Sequence, residues 1–245
     1  MTASAGHAPL PEFFRLAAFA TIDSTNSEAL RLAAAGAPSG TLVWSRTQTS
    51  GRGRRGRPWS SPPGNLHCSV LLKDAGVGAV AQLSFVAALA LRDGIAAVAP
   101  AAPVRFKWPN DLLVRGRKVA GILLEVAPGG GVVIGTGVNV ATHPEGATSL
   151  VAEAAGAVTV EALLAAFATA LRRWLDRLAD EGFGAVRAAW LAGTDGLGAP
   201  VEVHLAAATL RGTFAALDAE GALLLETPSG RHKITAGDVF LAAPG

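Results

Sequence analysis

The sequence contains very little cysteine and only moderate charge. Cys68 is the only cysteine among 245 residues, so no disulfide can form within the chain, and a reducing compartment fits. Charged residues make up 16% of the chain, and 21 basic side chains stand against 19 acidic ones, a net charge of +2. This balance argues against a protein that binds nucleic acid through its overall charge. Because 50% of the residues are apolar, we expect an ordered chain with a sizeable core.

The sequence also lacks a recognisable targeting segment. Its first basic residue is Arg15, and no apolar segment follows the initiating methionine as in a secretory signal. The longest apolar stretch, residues 75–91, is interrupted by Gln82 and continues into Arg92 and Asp93. Such a stretch is typical of a buried helix and not of a membrane span. We therefore expect a cytoplasmic globular protein that does not contact the membrane.

The positive charge is concentrated in residues 46–57, RTQTSGRGRRGR, which we call the arginine loop. It carries five arginines and three glycines, and no aspartate or glutamate occurs between Glu28 and Asp74. Glycine lets the backbone bend close to a ligand, and guanidinium groups match phosphate oxygens in pairs. With no acid nearby in the sequence, we expect the loop to be ordered by an anion and interpret it as a phosphate clamp.

Other interpretations of the arginine loop are weaker or less specific. Gly51, Gly53 and Gly56 match the GxGxxG dinucleotide pattern, but no helix can open on the last glycine because prolines follow at positions 58, 62 and 63. A solvated, disordered loop is a common outcome for an arginine run. An arginine-glycine contact with RNA is a further alternative, which the low net charge and the scarce aromatic residues near the loop disfavour.

Four further motifs offer polar groups to a ligand, although each also has a purely structural explanation. Residues 24–26 (STN) can cap a helix, and residues 107–111 (KWPND) can form a turn between strands. Residues 117–125 (RKVAGILLE) are typical of a core strand, and residues 135–139 (GTGVN) of a glycine-rich bend in a strand. The polar candidates in these motifs are Ser24, Thr25, Asn26, Lys107, Asn110, Asp111, Lys118 and Asn139.

The apolar pattern predicts a large unit of strands and helices followed by a small β unit. Strands are predicted at 14–22, 41–45, 65–72, 104–108, 112–114, 117–126 and 132–140. Helices are predicted after Asp23, with Thr25 and Glu28 as a capping box, at 79–98, and from Thr159 onward. Short strands, predicted at 201–205, 209–217, 222–226 and 233–241, indicate a small barrel. We divide the chain into a flexible leader (1–12), a catalytic unit (13–193) and a C-terminal β unit (194–245).

Five segments follow one another in a specific order: DSTNSEA, TQTSGRGRRGRPW, KWPNDLLV, RKVAGILLE and GTGVNV. From about Ile22 to Val140, this order closely resembles the biotin–protein ligase family, also called biotin–[acetyl-CoA-carboxylase] ligase. The resemblance implies an α+β fold, with a mixed-sheet biotin/lipoate ligase-like catalytic domain and a small SH3-like β-barrel C-terminal domain. It also implies activation of biotin by ATP and Mg2+ to biotinyl-5′-AMP. The biotinyl group then passes to one lysine of a biotin carboxyl carrier protein.

The resemblance further implies a role for each motif residue. It assigns biotin contacts to Ser24, Thr25, Asn26, Gln48, Arg52, Gly53, Arg54, Lys118 and Gly121. It assigns contacts with ATP or the adenylate to Arg54, Trp59, Lys107, Asn110, Lys118 and Asn139, and it makes Asn139 a candidate magnesium ligand. During adenylation, Arg52, Arg54 and Lys118 would offset the repulsion between the biotin carboxylate and the triphosphate of ATP. We hypothesise that Asp111 orients or deprotonates the acceptor lysine. The residue that stacks on adenine stays open between Trp108 and a residue of the C-terminal unit.

Two competing functions share part of this pattern. A lipoate–protein ligase or octanoyltransferase has a similar fold but lacks the pairing of GRGRRGR with KWPND. A non-enzymatic nucleic-acid binder would use the arginine loop, but it leaves Lys118 and the Ser-Thr-Asn motif unexplained. Because only 23 residues precede Ser24, the sequence resembles the form of the family without a DNA-binding domain. The resemblance allows a homodimer and does not identify the carrier protein.

Overall fold

The computed structural model describes residues 9–73, 80–154, 156–205 and 208–241. Most of the predicted leader (residues 1–8) and the predicted start of the second helix, residue 79, lie outside these ranges. Within them, the chain forms two sheets and five α-helices. The helices are α1 (Thr25–Ala34), α2 (Val80–Val98), α3 (Leu150–Ala154), α4 (Val160–Glu181) and α5 (Phe183–Ala192).

The first sheet is mixed, as predicted. Its strands are β1 (Arg15–Ile22), β2 (Thr41–Gln48), β3 (Leu66–Leu72), β4 (Val104–Lys107), β5 (Asp111–Val114), β6 (Arg117–Val126) and β7 (Val132–Val138). They lie side by side in the order β1-β2-β3-β7-β6-β5-β4. The pair β1 and β2 is parallel, and the other neighbours are antiparallel. The seven predicted strands are therefore confirmed, with small shifts at their ends.

The two faces of this sheet have different neighbours. On β3, Leu66, Cys68, Val70 and Leu72 point into the main core, which also contains buried residues of α2 and α4. The alternating residues of β3 point to the other face, where Ser69 bonds to α1. By length and composition α2 could cross a membrane, but 61% of its apolar window is buried. The interpretation of the apolar stretch as a buried helix is therefore confirmed for residues 80–91, while residues 75–79 lie outside the described ranges.

One prediction about the helices needs correction, and one helix was not predicted. The N-cap of α1 is Ser24, whose Oγ accepts the Ser27 N–H at 3.4 Å, so Thr25 and Glu28 do not form the predicted capping box. The hydroxyl of Thr25 instead bonds to side chains of the sheet. Helix α5 was missed because only Gly182 separates it from α4, and this N-cap glycine has no side chain that could signal a new start. The start of α4 after Thr159 is confirmed.

The C-terminal unit is a separate antiparallel sheet. Its strands are β8 (Pro200–His204), β9 (Thr209–Leu217), β10 (Leu223–Thr227), β11 (Gly230–Ile234) and β12 (Asp238–Leu241), in the order β11-β10-β9-β8-β12. The prediction of one strand over residues 233–241 was wrong. The chain leaves β11 at one edge and returns as β12 at the other edge beside β8, so it must break between them.

The C-terminal sheet is fixed to the first sheet near the KWPND motif. Trp108 donates its indole N–H to the Gly221 carbonyl at 3.1 Å, and Arg105 pairs with Asp195 at 2.7 Å. The hydroxyl of Thr194 donates to the Phe106 carbonyl at 2.8 Å. Together the two sheets confirm the predicted α+β class. The division of the chain after residue 193 stays a prediction.

Buried His67 on β3 generates a prediction about pH and stability. Its residue exposure is 1%, and burial lowers the pKa of His67 to about 4, against a small opposing effect of the Ser45 backbone. The unfolded chain binds a proton near the ordinary pKa of about 6.5, whereas the folded chain does not, so protonation favours unfolding. We expect the free energy of unfolding to fall by up to about 3 kcal/mol as the pH drops from about 6.5 to about 4.

Urea titrations at about pH 7, 5.5 and 4.5 measure the slope of the free energy of unfolding against pH. The variant His67→Phe should lose most of it, and His143→Gln, which changes an exposed histidine, should keep it. An equal slope in His67→Phe and the parent chain would contradict the assignment.

Candidate active site

One cavity of about 540 Å³ lies between the first sheet, the arginine loop and strand β12 of the C-terminal sheet. All fourteen predicted site residues line it: Ser24, Thr25, Asn26, Gln48, Arg52, Gly53, Arg54, Trp59, Lys107, Asn110, Asp111, Lys118, Gly121 and Asn139. The structure therefore brings together motifs that lie up to 115 positions apart, from Ser24 to Asn139. Sequence reasoning missed several lining residues, among them Arg57, Pro144, Ala147, Asp238 and Phe240.

The floor of the cavity consists of strand glycines. Gly121 of β6 pairs with Gly137 of β7, and both contribute backbone without a side chain. A β-carbon added to Gly137 would lie 2.4 Å from the indole of Trp59, and one added to Gly135 would lie 2.0 Å from Oδ1 of Asn26. Glycine is therefore required at 135 and 137 because other side chains pack directly on the strand. A mere bend in β7 does not explain this pattern.

The Ser-Thr-Asn motif forms a polar corner that is almost fully hydrogen-bonded. Oε1 of Gln48 accepts from the N–H and the hydroxyl of Thr25 at 2.8 and 3.1 Å, and Nε2 of Gln48 donates to Ser61 Oγ at 2.7 Å. Gln48 thus has one amide hydrogen without a partner among these bonds. This hydrogen is the free donor that the corner can present to a ligand.

Asn26 is held on all sides by the protein. Its Nδ2 donates to Glu125 at 2.7 Å, and its Oδ1 accepts from Ser69 Oγ at 2.6 Å. The residue is only 4% exposed, and Ser24 and Thr25 are similarly buried. Helix capping by Ser24 and bracing by Asn26 therefore account for much of this motif. Glu125, which no motif signalled as an anchor, connects Asn26 to the arginine loop.

The arginine loop has protein carboxylates as partners, contrary to the expectation that only an anion would order it. Arg52 pairs with Glu125 at 3.0 Å, while Arg55 and Arg57 both pair with Asp238 at 3.3 Å. Local sequence could not reveal these partners, because Glu125 lies 73 positions from Arg52, and Asp238 lies 183 and 181 positions from Arg55 and Arg57. The loop is thereby connected to both sheets.

The loop also has its own backbone structure. Residues Arg54–Gly56 form a single 3-10 turn, in which Arg55 adopts a positive φ of 56°. The N–H of Gly53 donates to the Arg57 carbonyl at 2.7 Å, and Arg54 Nη1 donates to Asn110 Oδ1 at 3.0 Å. No α-helix follows the glycines, so the argument against a dinucleotide fingerprint is confirmed.

Cations converge at one end of the cavity in a partly water-excluded setting. Lys118 pairs with Asp111 at 2.7 Å, and Lys107 lies 4.2 Å from the ring centroid of Phe240. Burial lowers the pKa of Lys107 and of Arg54 below their ordinary values. Because water is displaced around them, these cations can attract an anion more strongly than they could at an exposed surface.

Metal ligands are scarce around the cavity. Across the described ranges, no group of three or more His, Cys, Asp or Glu side chains could hold a metal ion. Asn139, the predicted candidate ligand, is 3% exposed, and its Nδ2 donates to the Thr148 carbonyl at 3.0 Å. The donor set does not fit a resident metal.

Known protein families match both the large N-terminal unit and the C-terminal β unit of the chain. Residues 18–139 match the model of the biotin/lipoate A/B protein ligase family, and residues 196–242 match that of the biotin protein ligase C-terminal domain. A biotin–[acetyl-CoA-carboxylase] ligase of Paracoccus denitrificans is 45% identical over 236 residues, which cover 90% of this chain and 98% of the relative. The bifunctional ligase/repressor BirA of Escherichia coli is 33% identical over 225 residues, 86% of this chain and 69% of BirA.

A solved structure agrees with these relatives. The biotin protein ligase from Aquifex aeolicus in complex with biotin and ATP superimposes with a TM-score of 0.82 at 27% identity, covering 94% of this chain and 99% of that protein. The family models, the sequence relatives and the structural neighbour thus agree with one another. The chain therefore belongs to the biotin protein ligases of the biotin/lipoate A/B protein ligase family.

Proposed function

We propose that the chain activates biotin with ATP to biotinyl-5′-AMP and then transfers the biotinyl group to one lysine of a biotin carboxyl carrier protein. The observation that carries this proposal is the composition of the cavity between the two sheets. One part has a glycine floor and apolar walls, and the other part carries the cations of the arginine loop, Lys107 and Lys118. The names of the Paracoccus ligase and of the Aquifex complex support the same reaction.

The apolar part fits biotin, which is mostly hydrocarbon with one fused urea. Gly121, Ile122 and Trp59 supply apolar surface, and Gln48 supplies the free amide hydrogen for the urea oxygen. In this proposal Thr25 orients Gln48, and Asn26 holds the corner through Glu125 and Ser69. Ser24 and Asn26 then serve mainly to hold the polar corner in place and do not themselves make the main contacts with biotin. Arg52 and Gly53 close over the ligand.

The cationic part of the cavity fits the two anions that must come together in the first step, the carboxylate of biotin and the triphosphate of ATP. In the first step a carboxylate oxygen of biotin attacks the α-phosphorus of ATP, and the bond to the β-phosphate breaks with release of pyrophosphate. The repulsion between the carboxylate and the triphosphate would be offset by Arg52, Arg54, Lys107 and Lys118. Magnesium would enter with ATP, and Asn110 and Asn139 would contact the phosphates.

Adenine has two aromatic candidates near the cavity. Trp108 is 3% exposed, and its indole N–H is already bonded to Gly221. Phe240 of β12 is 43% exposed and lines the cavity beside Lys107. Exposure therefore favours Phe240, a residue of the C-terminal sheet, as the surface on which adenine stacks.

In the second step the neutral amine of the carrier lysine attacks the acyl carbon, and AMP leaves. A free lysine has a pKa of about 10.4, so the amine must lose a proton before or during attack. Asp111 lies at the cavity and pairs with Lys118 through Oδ1. We assign Asp111 the role of orienting or deprotonating this amine.

We propose that the reaction takes place in a reducing compartment, the cytoplasm, because Cys68 is the only cysteine of the sequence and no disulfide can form within it. The formation of a homodimer stays a prediction.

The proposal is tested by exchange of labelled pyrophosphate into ATP, with biotin, lipoate and octanoate as parallel acids. We expect exchange with biotin alone. Exchange with lipoate or octanoate but not with biotin would move the chain to a sister activity. If the folded protein shows no exchange with any of the acids, the adenylation proposal is contradicted, and a non-enzymatic nucleic-acid binder is favoured.

Replacing Lys118 tests the charge argument. The variant Lys118→Gln removes a cation from the cavity while keeping a side chain of similar length, and we expect exchange to fall by about a hundredfold or more. The matched control is Lys233→Gln, because Lys233 also pairs with carboxylates but lies in the C-terminal sheet away from the cavity. An equal loss in both variants would indicate a general effect on folding and would contradict the assigned role.

Replacing Asp111 separates the two half-reactions. We expect Asp111→Asn to slow transfer from preformed biotinyl-5′-AMP to carrier by about tenfold or more, because the amide cannot accept the amine proton. Pyrophosphate exchange should change by less than about threefold. Single-turnover transfer and exchange measured on the same preparation provide both numbers. Normal transfer with intact exchange would exclude the role, and loss of exchange would indicate that Asp111 acts through Lys118.

A further inference from the structure

Glu153 is a buried carboxylate outside the cavity that the proposed reaction does not use. It lies in the first turn of α3, and its side chain is 2% exposed. It accepts hydrogen bonds from Thr148 Oγ1 and from Arg117 Nη2, both at 2.6 Å, and it also pairs with Arg115. Arg115 and Arg117 flank the turn between β5 and β6, whereas Thr148 follows β7. One carboxylate therefore ties together two distant parts of the chain.

Thr148 in turn holds two residues that line the cavity. Its carbonyl accepts the Asn139 side-chain amide at 3.0 Å, and its N–H donates to the Lys118 carbonyl at 2.9 Å. Thr148 is fully buried. The N–H of Leu150, two residues later, donates to the Asn139 carbonyl at 2.9 Å. The orientations of Asn139 and Lys118 therefore depend on where Thr148 lies.

The arginine side of the network acts on the same strand. Arg117 immediately precedes Lys118 in β6, and Arg115 has a positive φ of 48°, an uncommon conformation for a residue with a side chain. The hydrogen bond from Thr148, together with the two arginines, lowers the pKa of Glu153 against the opposing effect of burial. Glu153 is therefore a charged acceptor at neutral pH, the form that holds all three partners most strongly.

A structural ion pair is the ordinary explanation for a buried glutamate beside two arginines. The chain offers a comparison, because Asp93 similarly accepts from Arg92, Arg173 and Trp174 at the contact of α2 with α4. None of these four residues lines the cavity. The network of Glu153 differs because its partner Thr148 bonds directly to two lining residues.

We propose that Glu153 is a positioning residue for the nucleotide, which acts through Thr148 to fix Asn139 and Lys118 toward the phosphates. This inference rests on the proposed function. The polar corner that would hold the urea of biotin, Gln48 with Thr25, makes no hydrogen bond to this network. Loss of Glu153 should therefore weaken the use of ATP far more than the binding of biotin.

The direction of the effect distinguishes positioning from simple electrostatics. Glu153→Gln leaves Arg115 and Arg117 positively charged, so a purely electrostatic role predicts a lower KM for the anionic nucleotide. Positioning predicts the opposite, and we expect the KM for MgATP to rise by about tenfold in pyrophosphate exchange. The dissociation constant for biotin, measured by calorimetry, should stay within about twofold.

A second pair of variants keeps the test decisive if Glu153→Gln does not fold. Thr148→Val replaces the hydroxyl with a methyl group and should also raise the KM for MgATP, whereas Thr148→Ser keeps the hydroxyl and should keep the parent value. Asp93→Asn is the control for the loss of an ionic cluster that lies outside the cavity. It should lower the melting temperature without changing the KM for MgATP.

The outcomes separate the two proposals. If the parent chain shows no biotin-dependent exchange, the proposed function fails before Glu153 is tested. If the parent is active, an unchanged or lower KM for MgATP in folded Glu153→Gln overturns the positioning role. Equal effects on the KM for MgATP and on biotin affinity would indicate that Glu153 only stabilises the fold. The same KM change in Asp93→Asn would indicate this too, and either result would overturn the positioning role.

Discussion

The crowding of positive charge around one cavity is the constraint on which the rest of the structure depends. Arg52, Arg54, Arg57, Lys107 and Lys118 all line this cavity, and like charges at such distances repel. The protein offsets that repulsion with carboxylates from three strands: Asp111 of β5, Glu125 of β6 and Asp238 of β12. Anionic substrates can take over the same contacts, because phosphate oxygens match the guanidinium groups as well as carboxylates do.

This constraint explains why the site needs two sheets. The first sheet provides a glycine floor on which Trp59 and Asn26 pack, and it carries Lys118 and Asp111 on neighbouring strands. The C-terminal sheet contributes Asp238, which binds two arginines, and Phe240, which covers Lys107. Neither sheet alone encloses the cations. Their contact near Trp108 thus shapes the cavity as well as stabilising the fold.

Much of this account could be predicted from the sequence, because short motifs and local periodicity carry it. The strands of the first sheet, the core helix α2 and fourteen of the residues that line the cavity were predicted from the pattern or from the resemblance it supports. The partners of the arginine loop could not be predicted, since pairing with Glu125 and Asp238 depends on how distant strands come together. The same reason explains why residues 233–241 form two strands at opposite edges. The cap of α1 at Ser24 differs from the predicted capping box because tertiary bonds to Gln48 and Ser69 engage Thr25.

The central claim is that this one cavity joins biotin to the adenylyl group of ATP and retains the product. The most direct measurement is native mass spectrometry of the chain after incubation with biotin and MgATP in the absence of carrier protein. The account predicts one biotinyl-5′-AMP bound per chain, and none when biotin is replaced by lipoate. Biotin and ATP bound side by side without the adenylate, or an adenylate formed only from another acid, would contradict the claim.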